Sequence, residues 1–558
     1  MGGNPKPGNS APGGSALGFL GNLYQGSFRP ELFHPYTGRP DEGRIQEFLQ
    51  RFREAVQGYD PHRLEQLHKL PDELMARMGK SGIFGLTISR EHGGLGFSTS
   101  EYLRVIEELA GADMSLAIIP LAHLSIGLKG IQLFGSEDQK RRYLPRAASG
   151  ELVFAYALTE PDTGSDAQHI RTSARLSADG GSYLLDGTKT YITNGNYAGA
   201  FTVFAQLDPQ SPGIMGAFIV ERGWEGVKVG ADMPKMGLAV SSTTAIQFHQ
   251  VRVPRENLIG NPGEGFRIAM TILNYGRLGL AASAAGLMAR SLQDMLGRAS
   301  GRKQFGVPIR QFELIQEKLV QARAHGFAAS AMTYHTAAQL DRDPLANVMI
   351  ESSHAKLYGT TRGWDTLNDA LQTAGGSGYL ATLPYEKRLR DFRVTTVFEG
   401  TTEIHSIYPS LSLFRSLGKA LQGRAGLAKL ALFARLARTR ALKPGREGNP
   451  ELREALRAAA GSERLFRRLL TAGFRRYGKG IASEQFYLRR MTNLSLSLFW
   501  VVSAVSFEKS LHPDGVYPAE ELDALRYLAE EAREVQARDG RLEPTRRERV
   551  HRRLMAAL

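Results

Sequence analysis

The spacing of apolar and polar positions changes character three times along the chain. Over residues 41–150 apolar residues recur at helical spacing, as in Glu101-Tyr-Leu-Arg-Val-Ile-Glu-Glu-Leu-Ala, with Gly93-Gly94-Leu95-Gly96 as a loop ahead of that run. Over residues 151–262 short β-prone runs take over: 152–158, 182–186, 188–193, 202–207, 214–220 and 245–253. Asp186-Gly187, Asn194-Gly195 and Pro212-Gly213 between them are turn dipeptides, so a small antiparallel β domain is predicted. Helical spacing returns at Gly265, and residues 266–295, 311–340 and 347–373 predict an antiparallel helix bundle. Residues 390–398 form a short basic-apolar stretch leading into a loop at Glu399-Gly400-Thr401. Beyond Arg415 the chain is rich in Arg, Leu and Ala, with Lys443-Pro444-Gly445 and His512-Pro513-Asp514-Gly515 as interhelical loops.

The expected architecture is therefore mainly α with a central β domain. It comprises a leader over 1–40 whose N-terminal part is disordered, an N-terminal helical domain over 41–150, the β domain over 151–262, a helix-bundle domain over 263–415 and an extra, basic C-terminal helical domain over 416–558. A chain of 558 residues is too long for one core, which agrees with such a division. No apolar run approaches the roughly 18 residues of a membrane-spanning helix, so the chain is not expected to cross a bilayer. The Gly/Pro/Ser/Asn-rich start lacks the basic and apolar stretches of a secretory signal, and Lys6 stands where a myristoylation pattern wants Ser or Thr.

Charge and residue usage narrow the chemistry. Cysteine is absent, which removes disulfides, thiolate metal sites, iron–sulfur ligation and cysteine nucleophiles. The 13 histidines show no HExxH or comparable spacing, so no metal site is expected, and redox chemistry requires an organic cofactor. Residues 416–558 carry 28 Lys and Arg against 16 Asp and Glu, a net +12 of the chain's +14. A basic tail on a near-neutral body calls for an anionic partner: lipid headgroups, nucleic acid or an acidic protein.

No GxxxxGK[ST] loop and no strand followed by GxGxxG is present, which argues against a P-loop or dinucleotide-binding enzyme. Three other segments hold candidate chemistry. Gly375-Gly376-Ser377-Gly378 follows a helix and reads equally as a C-cap or as a backbone that lets a ligand approach. Thr159-Glu160-Pro161-Asp162-Thr163-Gly164-Ser165-Asp166 offers hydroxyls and N–H groups after a β-prone run, although such clusters are commonly solvated turns. Glu399 is a lone carboxylate beside a glycine, a pattern that usually serves a helix cap.

Taken in order, the motifs resemble the acyl-CoA dehydrogenase family, and within it the very-long-chain type. The resemblance covers residues 41–415. It is carried by Glu91-His-Gly-Gly-Leu-Gly, Ala157-Leu-Thr-Glu-Pro-Asp-Thr-Gly-Ser-Asp, Tyr191-Ile-Thr-Asn-Gly, Met236-Gly-Leu, Asn274-Tyr-Gly-Arg-Leu-Gly, Arg302-Lys-Gln-Phe-Gly, Gln372-Thr-Ala-Gly-Gly-Ser-Gly-Tyr and Phe398-Glu-Gly-Thr-Thr-Glu-Ile. It implies an acyl-CoA dehydrogenase-like fold and a bound FAD. Tyr156, Leu158, Thr159, Gly164 and Ser165 would meet the flavin, with Tyr191, Ile192 and Thr193 on its other side; many relatives have Trp where Tyr191 stands. Arg302, Gln304 and Phe305, with Gln372, Ala374, Gly375, Gly376, Thr401 and Glu403, match positions at the adenosine and pyrophosphate end. The always-charged guanidinium of Arg302 suits a diphosphate. Part of that set comes from the partner subunit in this family, so a homodimer is implied.

The resemblance further implies that Glu399 removes the α-proton of the thioester while hydride leaves the β-carbon for the flavin, giving a trans-2-enoyl-CoA. Backbone N–H of Glu399 would polarise the carbonyl, and Ser165, Asn274, Arg277 and Gly400 would contact the acyl-CoA. The expected function is FAD-dependent oxidation of long- or very-long-chain acyl-CoA in fatty acid β-oxidation, with electron-transfer flavoprotein as acceptor. Two alternatives share the fold: a respiratory-complex assembly protein, and a nucleic-acid-binding relative of the alkylation-response branch. Nucleic acid is not the expected partner here.

Gly127 and Gly130 lie three residues apart in a helical stretch; similar glycines occur in very-long-chain relatives with a deep acyl pocket, and close helix packing is the equal alternative. On a helical wheel over residues 464–479, Leu465, Phe466, Leu469, Leu470 and Tyr477 face one side. Arg464, Arg467, Arg468, Arg475 and Lys479 face the other, with Arg476 the exception. That pattern suits an anionic membrane surface or a bundle helix with a solvated basic face, and the very-long-chain type has a membrane-associated C-terminal domain. A cytoplasmic enzyme peripheral on the inner face of the membrane is the resulting expectation.

Overall fold

A computed structural model of the chain describes residues 17–207, 214–422, 426 and 442–557. The turn at Pro212-Gly213 and the first 16 residues of the leader lie outside the described residues.

The N-terminal domain consists of short helices that start where the sequence supplies caps. After α1 (Phe19–Tyr24) and α2 (Pro30–Phe33) come α3 (Glu42–Ala55), α4 (Pro61–Leu67), α5 (Asp72–Ser81), α6 (Thr99–Ala112), α7 (Met114–Leu121), α8 (Lys129–Phe134) and α9 (Glu137–Ala148). Asp41 and Asp60 cap α3 and α4, while Ser98 with Glu101 and Ser136 with Gln139 form capping boxes on α6 and α9.

The middle domain is an eight-stranded sheet: β1 (Phe154–Ala157), β2 (Ser173–Leu176), β3 (Ser182–Thr193), β4 (Ala200–Gln206), β5 (Met215–Glu221), β6 (Val227–Val229), β7 (Thr243–Pro254) and β8 (Leu258–Gly263). Its order is β6-β7-β3-β2-β4-β5-β8, with β1 also on β4. Most pairs are antiparallel, but β1 and β2 each run parallel to β4. Asp186-Gly187 is not a turn. β3 passes straight through it with a bulge against β7, at Gly187 φ 148°, where a β-carbon would lie 2.4 Å from Thr172 Oγ1. The close approach to Thr172, not a chain reversal, is what requires glycine there.

The bundle is built on α10 (Gly265–Gly301), a two-stranded hairpin of β9 (Lys303–Gln304) and β10 (Val307–Pro308), α11 (Glu313–Arg342), α12 (Met349–Ala374), α13 (Tyr385–Arg393) and α14 (Thr402–Leu421). α10 and α12 run parallel. Ser352 Oγ donates to Asn274 Oδ1 at 2.9 Å near their N-termini, and Arg298 Nη2 to Ala374 O at 3.1 Å near their C-termini. α11 runs back between those ends, and Tyr275 Oη donates to Pro344 O at 2.8 Å just beyond it.

The C-terminal domain contributes α15 (Pro450–Tyr477), α16 (Gln485–Leu511), α17 (Ala519–Asp539) and α18 (Arg546–Ala557). Packing refines three sequence readings, of which only the absence of any run long and apolar enough to span a membrane is overturned. Met114–Phe134 and Gln485–Leu511 are each long and apolar enough to cross a membrane, but both lie mostly buried as core segments. On α15, Phe466, Leu469 and Leu470 are buried, so the apolar arc is already used inside the protein. Arg467 is buried as well, bonded to Glu463 at 2.8 Å and to the Leu23 carbonyl. Of the leader, residues 17–40 form a strap between bundle and C-terminal domain. Phe19, Leu20, Leu23 and Tyr24 are buried; Glu351 on α12 accepts Leu20 N at 2.6 Å, and Tyr24 Oη meets Ser495 Oγ on α16 at 2.5 Å.

Candidate active site

Glu399 sits in a turn between α13 and α14 in which two successive residues take left-handed backbone, φ 56° at Glu399 and 94° at Gly400. For a glutamate this conformation costs about 1–3 kcal/mol and persists only where neighbours over-determine it. Several do. His405 Nε2 lies 2.9 Å and Arg277 Nε 3.4 Å from Glu399 O, Lys356 Nζ lies 2.6 Å from Gly400 O, and Thr401 caps α14 by accepting Ile404 N at 3.3 Å.

The turn aims the Glu399 side chain at α10. Gly276 leaves the space, since a β-carbon there would stand 3.2 Å from Glu399 Oε2 and 2.8 Å from Ile126. Oε2 is sealed from solvent and has no hydrogen-bond partner. Burial pushes the carboxyl up to about 7, against the opposing pull of Arg277 and Lys356. Tyr156 stands close enough to Glu399 and Arg277 to feel both charges. An ionised carboxylate in this setting is a base matched to proton removal near neutral pH.

The loop after β1 is braced from beneath. Glu160 accepts Thr172 N at 2.9 Å, Arg171 N at 2.6 Å and Lys189 Nζ at 2.7 Å, with Lys189 fully buried on β3. Burial lowers Lys189 to about 8, against the pull of Glu160. Above this brace Leu158 is buried and Thr159 half-buried, while Gly164 and Ser165 are exposed. Across from the loop Ile192 is buried, Thr193 half-buried, and Tyr191 is 67% exposed at φ 56°. An unshielded aromatic beside accessible hydroxyls fits the polar and aromatic faces of a flavin ring system.

The residues expected at the adenosine and pyrophosphate end divide in two. Thr401 and Glu403 adjoin the Glu399 turn. Arg302, Gln304 and Phe305 lie just past the C-terminus of α10, beside Gln372, Ala374, Gly375 and Gly376 at the end of α12. Gly375 is the C-cap of α12 at φ 68°, and open space lies where β-carbons on Gly375 and Gly376 would be, so the cap leaves this backbone exposed. Arg277 and Arg302 are separated by 25 residues of helix, about 37 Å at 1.5 Å per residue. One chain therefore does not bring these residues to the Glu399 end.

Gly127 and Gly130 make close packing contacts. A β-carbon on Gly127 would lie 2.7 Å from Phe154 O, and one on Gly130 3.2 Å from Ile272 Cδ1. Sequence reasoning missed Gly276, Ser353, Lys356, His405, and the Glu160–Lys189 brace. The signal for two of them was present: Ser353 and Lys356, with His354 between them, are polar residues clustered on a helix that is otherwise buried. Among the described residues His62, Glu65 and Glu386 cluster closely enough for a cation, but Arg390 already bonds both carboxylates.

Models of the acyl-CoA dehydrogenase N-terminal, middle and C-terminal domains match residues 40–151, 155–251 and 263–407. The chain is 36% identical over 478 residues to the mitochondrial very long-chain specific acyl-CoA dehydrogenase of Homo sapiens, covering 82% of this chain and 72% of that protein. Its fold is similar to that of an acyl-CoA dehydrogenase complexed with FAD from Bacillus anthracis, with a TM-score of 0.80 and 28% identity over 93% of this chain and 92% of that one. It also resembles a chain solved as the electron transferring flavoprotein of Acidaminococcus fermentans, with a TM-score of 0.62 and 33% identity over 66% of this chain and 98% of that one.

Proposed function

The chain belongs to the acyl-CoA dehydrogenase family, and on that premise we propose that Glu399 is its catalytic base, acting on long- or very-long-chain acyl-CoA. The protein is an FAD-dependent acyl-CoA dehydrogenase of fatty acid oxidation, with the family's helical, β and helical domains and extra C-terminal helices. The observation that carries the assignment of the base is the buried, unpartnered Glu399 Oε2 facing the space above Gly276.

Bound FAD supplies the acceptor for the hydride that leaves the β-carbon. The chain's own residues do the rest. Ionised Glu399 takes the α-proton, and burial, which raised its carboxyl to about 7, favours the neutral acid that results. Backbone N–H of Glu399 polarises the thioester carbonyl as charge develops. Asn274, Arg277, Gly400 and Ser165 hold the acyl-CoA, while Tyr156, Leu158, Thr159, Gly164, Tyr191, Ile192 and Thr193, with Ser165 again, hold the flavin end of FAD.

The adenosine end is proposed to lie between two copies of the chain. Thr401 and Glu403 come from one copy, and Arg302, Gln304, Phe305, Gln372, Ala374, Gly375 and Gly376 from the other. The separation along α10 supports this homodimer, as does Phe305, 94% exposed at φ 51°. Electron-transfer flavoprotein is the proposed acceptor, supported by the family and by the likeness to the Acidaminococcus fermentans chain.

Contact with an anionic membrane moves from α15 to α18, where Val550, Leu554 and Met555 are exposed among Arg546, Arg547, Arg549, Arg552 and Arg553. A cytoplasmic enzyme peripheral on the inner face of the membrane is the corresponding location. The function is tested by turnover with an artificial electron acceptor across acyl-CoA lengths. Activity that requires acyl-CoA and is highest with long chains is expected, and a flavoprotein inert to every acyl-CoA would overturn it.

A further inference from the structure

The Glu399–Gly400 turn presents two carbonyl oxygens, and each has a buried donor from α12 or α14, in addition to the Arg277 Nε that reaches Glu399 O at 3.4 Å. Lys356, on α12, is fully buried and gives its Nζ to Gly400 O at 2.6 Å. His405, on α14, is also fully buried and gives Nε2 to Glu399 O at 2.9 Å. Because Nε2 carries the proton, Nδ1 is the acceptor, and Ser353 Oγ donates to it at 2.6 Å. Burial keeps His405 neutral by holding its pKa well below the ordinary value, with Arg277 and Lys356 adding to the effect. Gly400 is matched to this arrangement twice, by its φ of 94° and because a β-carbon would lie 2.7 Å from His405 Nε2.

We propose that Lys356 and the Ser353–His405 pair are positioning residues for the base, locking the Glu399–Gly400 turn through its two carbonyl oxygens so that the carboxylate is held over Gly276. Neither is hydrogen-bonded to Glu399 Oε2. Both act through the backbone that carries the carboxylate, and a group held in productive geometry reacts faster than one that must find it. The three residues lie on two helices packed together, with Ser353 and Lys356 one turn apart on α12. The turn is therefore fastened to the bundle core rather than left to its own strained backbone.

Lys356 has a second effect, through charge. The charged and titratable groups around Glu399 are Arg277 from α10, Tyr156 from β1, Lys356 from α12 and His405 from α14, with Tyr408 beside Arg277 and Glu403 beside Lys356. Of these, Arg277 and Lys356 favour the ionised base. Burial lowers Lys356 itself to about 7, with Glu399 pulling it up and Arg277 pushing it down. Replacing Lys356 by a neutral residue removes one of the two cations, so the Glu399 carboxyl rises further. The acid limb of the kcat profile then moves to higher pH.

The inference rests on Glu399 being the base, so Glu399→Gln is measured beside the other variants. Lys356→Met, His405→Leu, His405→Gln and Ser353→Ala are prepared as holoenzymes and compared for flavin content, KM, kcat and the pH dependence of kcat. His405→Leu is expected to lose on the order of tenfold in kcat, the scale of one lost hydrogen bond, with flavin content and KM retained. His405→Gln, which can keep a donor to Glu399 O, is expected to recover most of it, and Lys356→Met to shift the acid limb upward. If Lys356→Met yields no flavoprotein, His405→Leu, His405→Gln and Ser353→Ala decide the matter by kcat at unchanged KM. An inactive Glu399→Gln beside fully active His405→Leu and Lys356→Met variants with unmoved pH profiles overturns the positioning role alone. An active Glu399→Gln overturns the base itself.

Discussion

Gly276 and Glu399 are complementary: the missing side chain on α10 is the space into which the carboxylate points, and a β-carbon on Gly276 would lie 3.2 Å from both Glu399 Cδ and Oε2. Neither neighbour gives way easily, because Ile126 would stand 2.8 Å from the same β-carbon and the Glu399 turn is fixed from behind. Gly276→Ala is therefore expected to lower kcat by about tenfold or more, the scale of a displaced catalytic group. Its flavin content should match that of the unaltered enzyme. Steady-state rates and the flavin-to-protein absorbance ratio check this, and unchanged kcat would show that the carboxylate does not use that space.

The Glu160–Lys189 brace predicts a different phenotype. Glu160→Gln leaves a fully buried lysine without its counter-charge, and breaking such a pair costs about 3 kcal/mol or more. The same change slackens the hold on Arg171 N and Thr172 N under the Thr159–Asp166 loop. A lower urea midpoint together with a reduced flavin-to-protein ratio is expected. Flavin retained at full stoichiometry with a lowered midpoint would mean that the brace serves folding only.

Because one chain separates its Arg302 and Glu399 ends, flavin retention is expected to depend on assembly. Light scattering should give twice the 61.3 kDa of the chain. Arg302→Ala should lower flavin affinity although Arg302 lies about 37 Å along α10 from Arg277. A monomer that holds stoichiometric flavin would contradict the shared site.

Much of this was legible in the sequence, and what was not has physical reasons. The long bundle helices follow from uninterrupted helical spacing, and the sheet from short runs between turn signals. Gly187 was misread because a bulge glycine and a turn glycine look alike when the contact that decides between them, Thr172, is fifteen residues away. On α15 the periodic pattern was read correctly, but periodicity does not tell lipid from a neighbouring helix, and Leu469 and Leu470 turn inward. Residues 17–40 lack the length of a domain, and only Glu351 and Ser495, hundreds of residues later, explain why Leu20 and Tyr24 are buried. The same holds at the site. Glu399 was singled out through the motifs around it, whereas Ser353 and Lys356 show only as polar residues on a buried helix, and contacts made through main-chain carbonyls, like those of Lys356 and His405, leave no pattern in side-chain order.

With the α15 arc buried, membrane contact is expected to depend on the last helix. Replacing Val550, Leu554 and Met555 together by Ser should abolish flotation with phosphatidylglycerol vesicles while leaving kcat on soluble acyl-CoA unchanged. Binding that survives the triple change would place the contact elsewhere on the basic domain.

The most direct test of the central claim is anaerobic mixing of a long-chain acyl-CoA with the holoenzyme and with Glu399→Gln, following loss of the oxidised flavin spectrum. In the unaltered enzyme bleaching should accelerate as pH rises through about 7, because the base works only when ionised and burial has raised its pKa to that value. Glu399→Gln should bind the same acyl-CoA yet bleach at least about 100-fold more slowly, with no such pH limb. Bleaching of Glu399→Gln at the unaltered rate, with the pH limb intact, would contradict the assignment of Glu399 as the base.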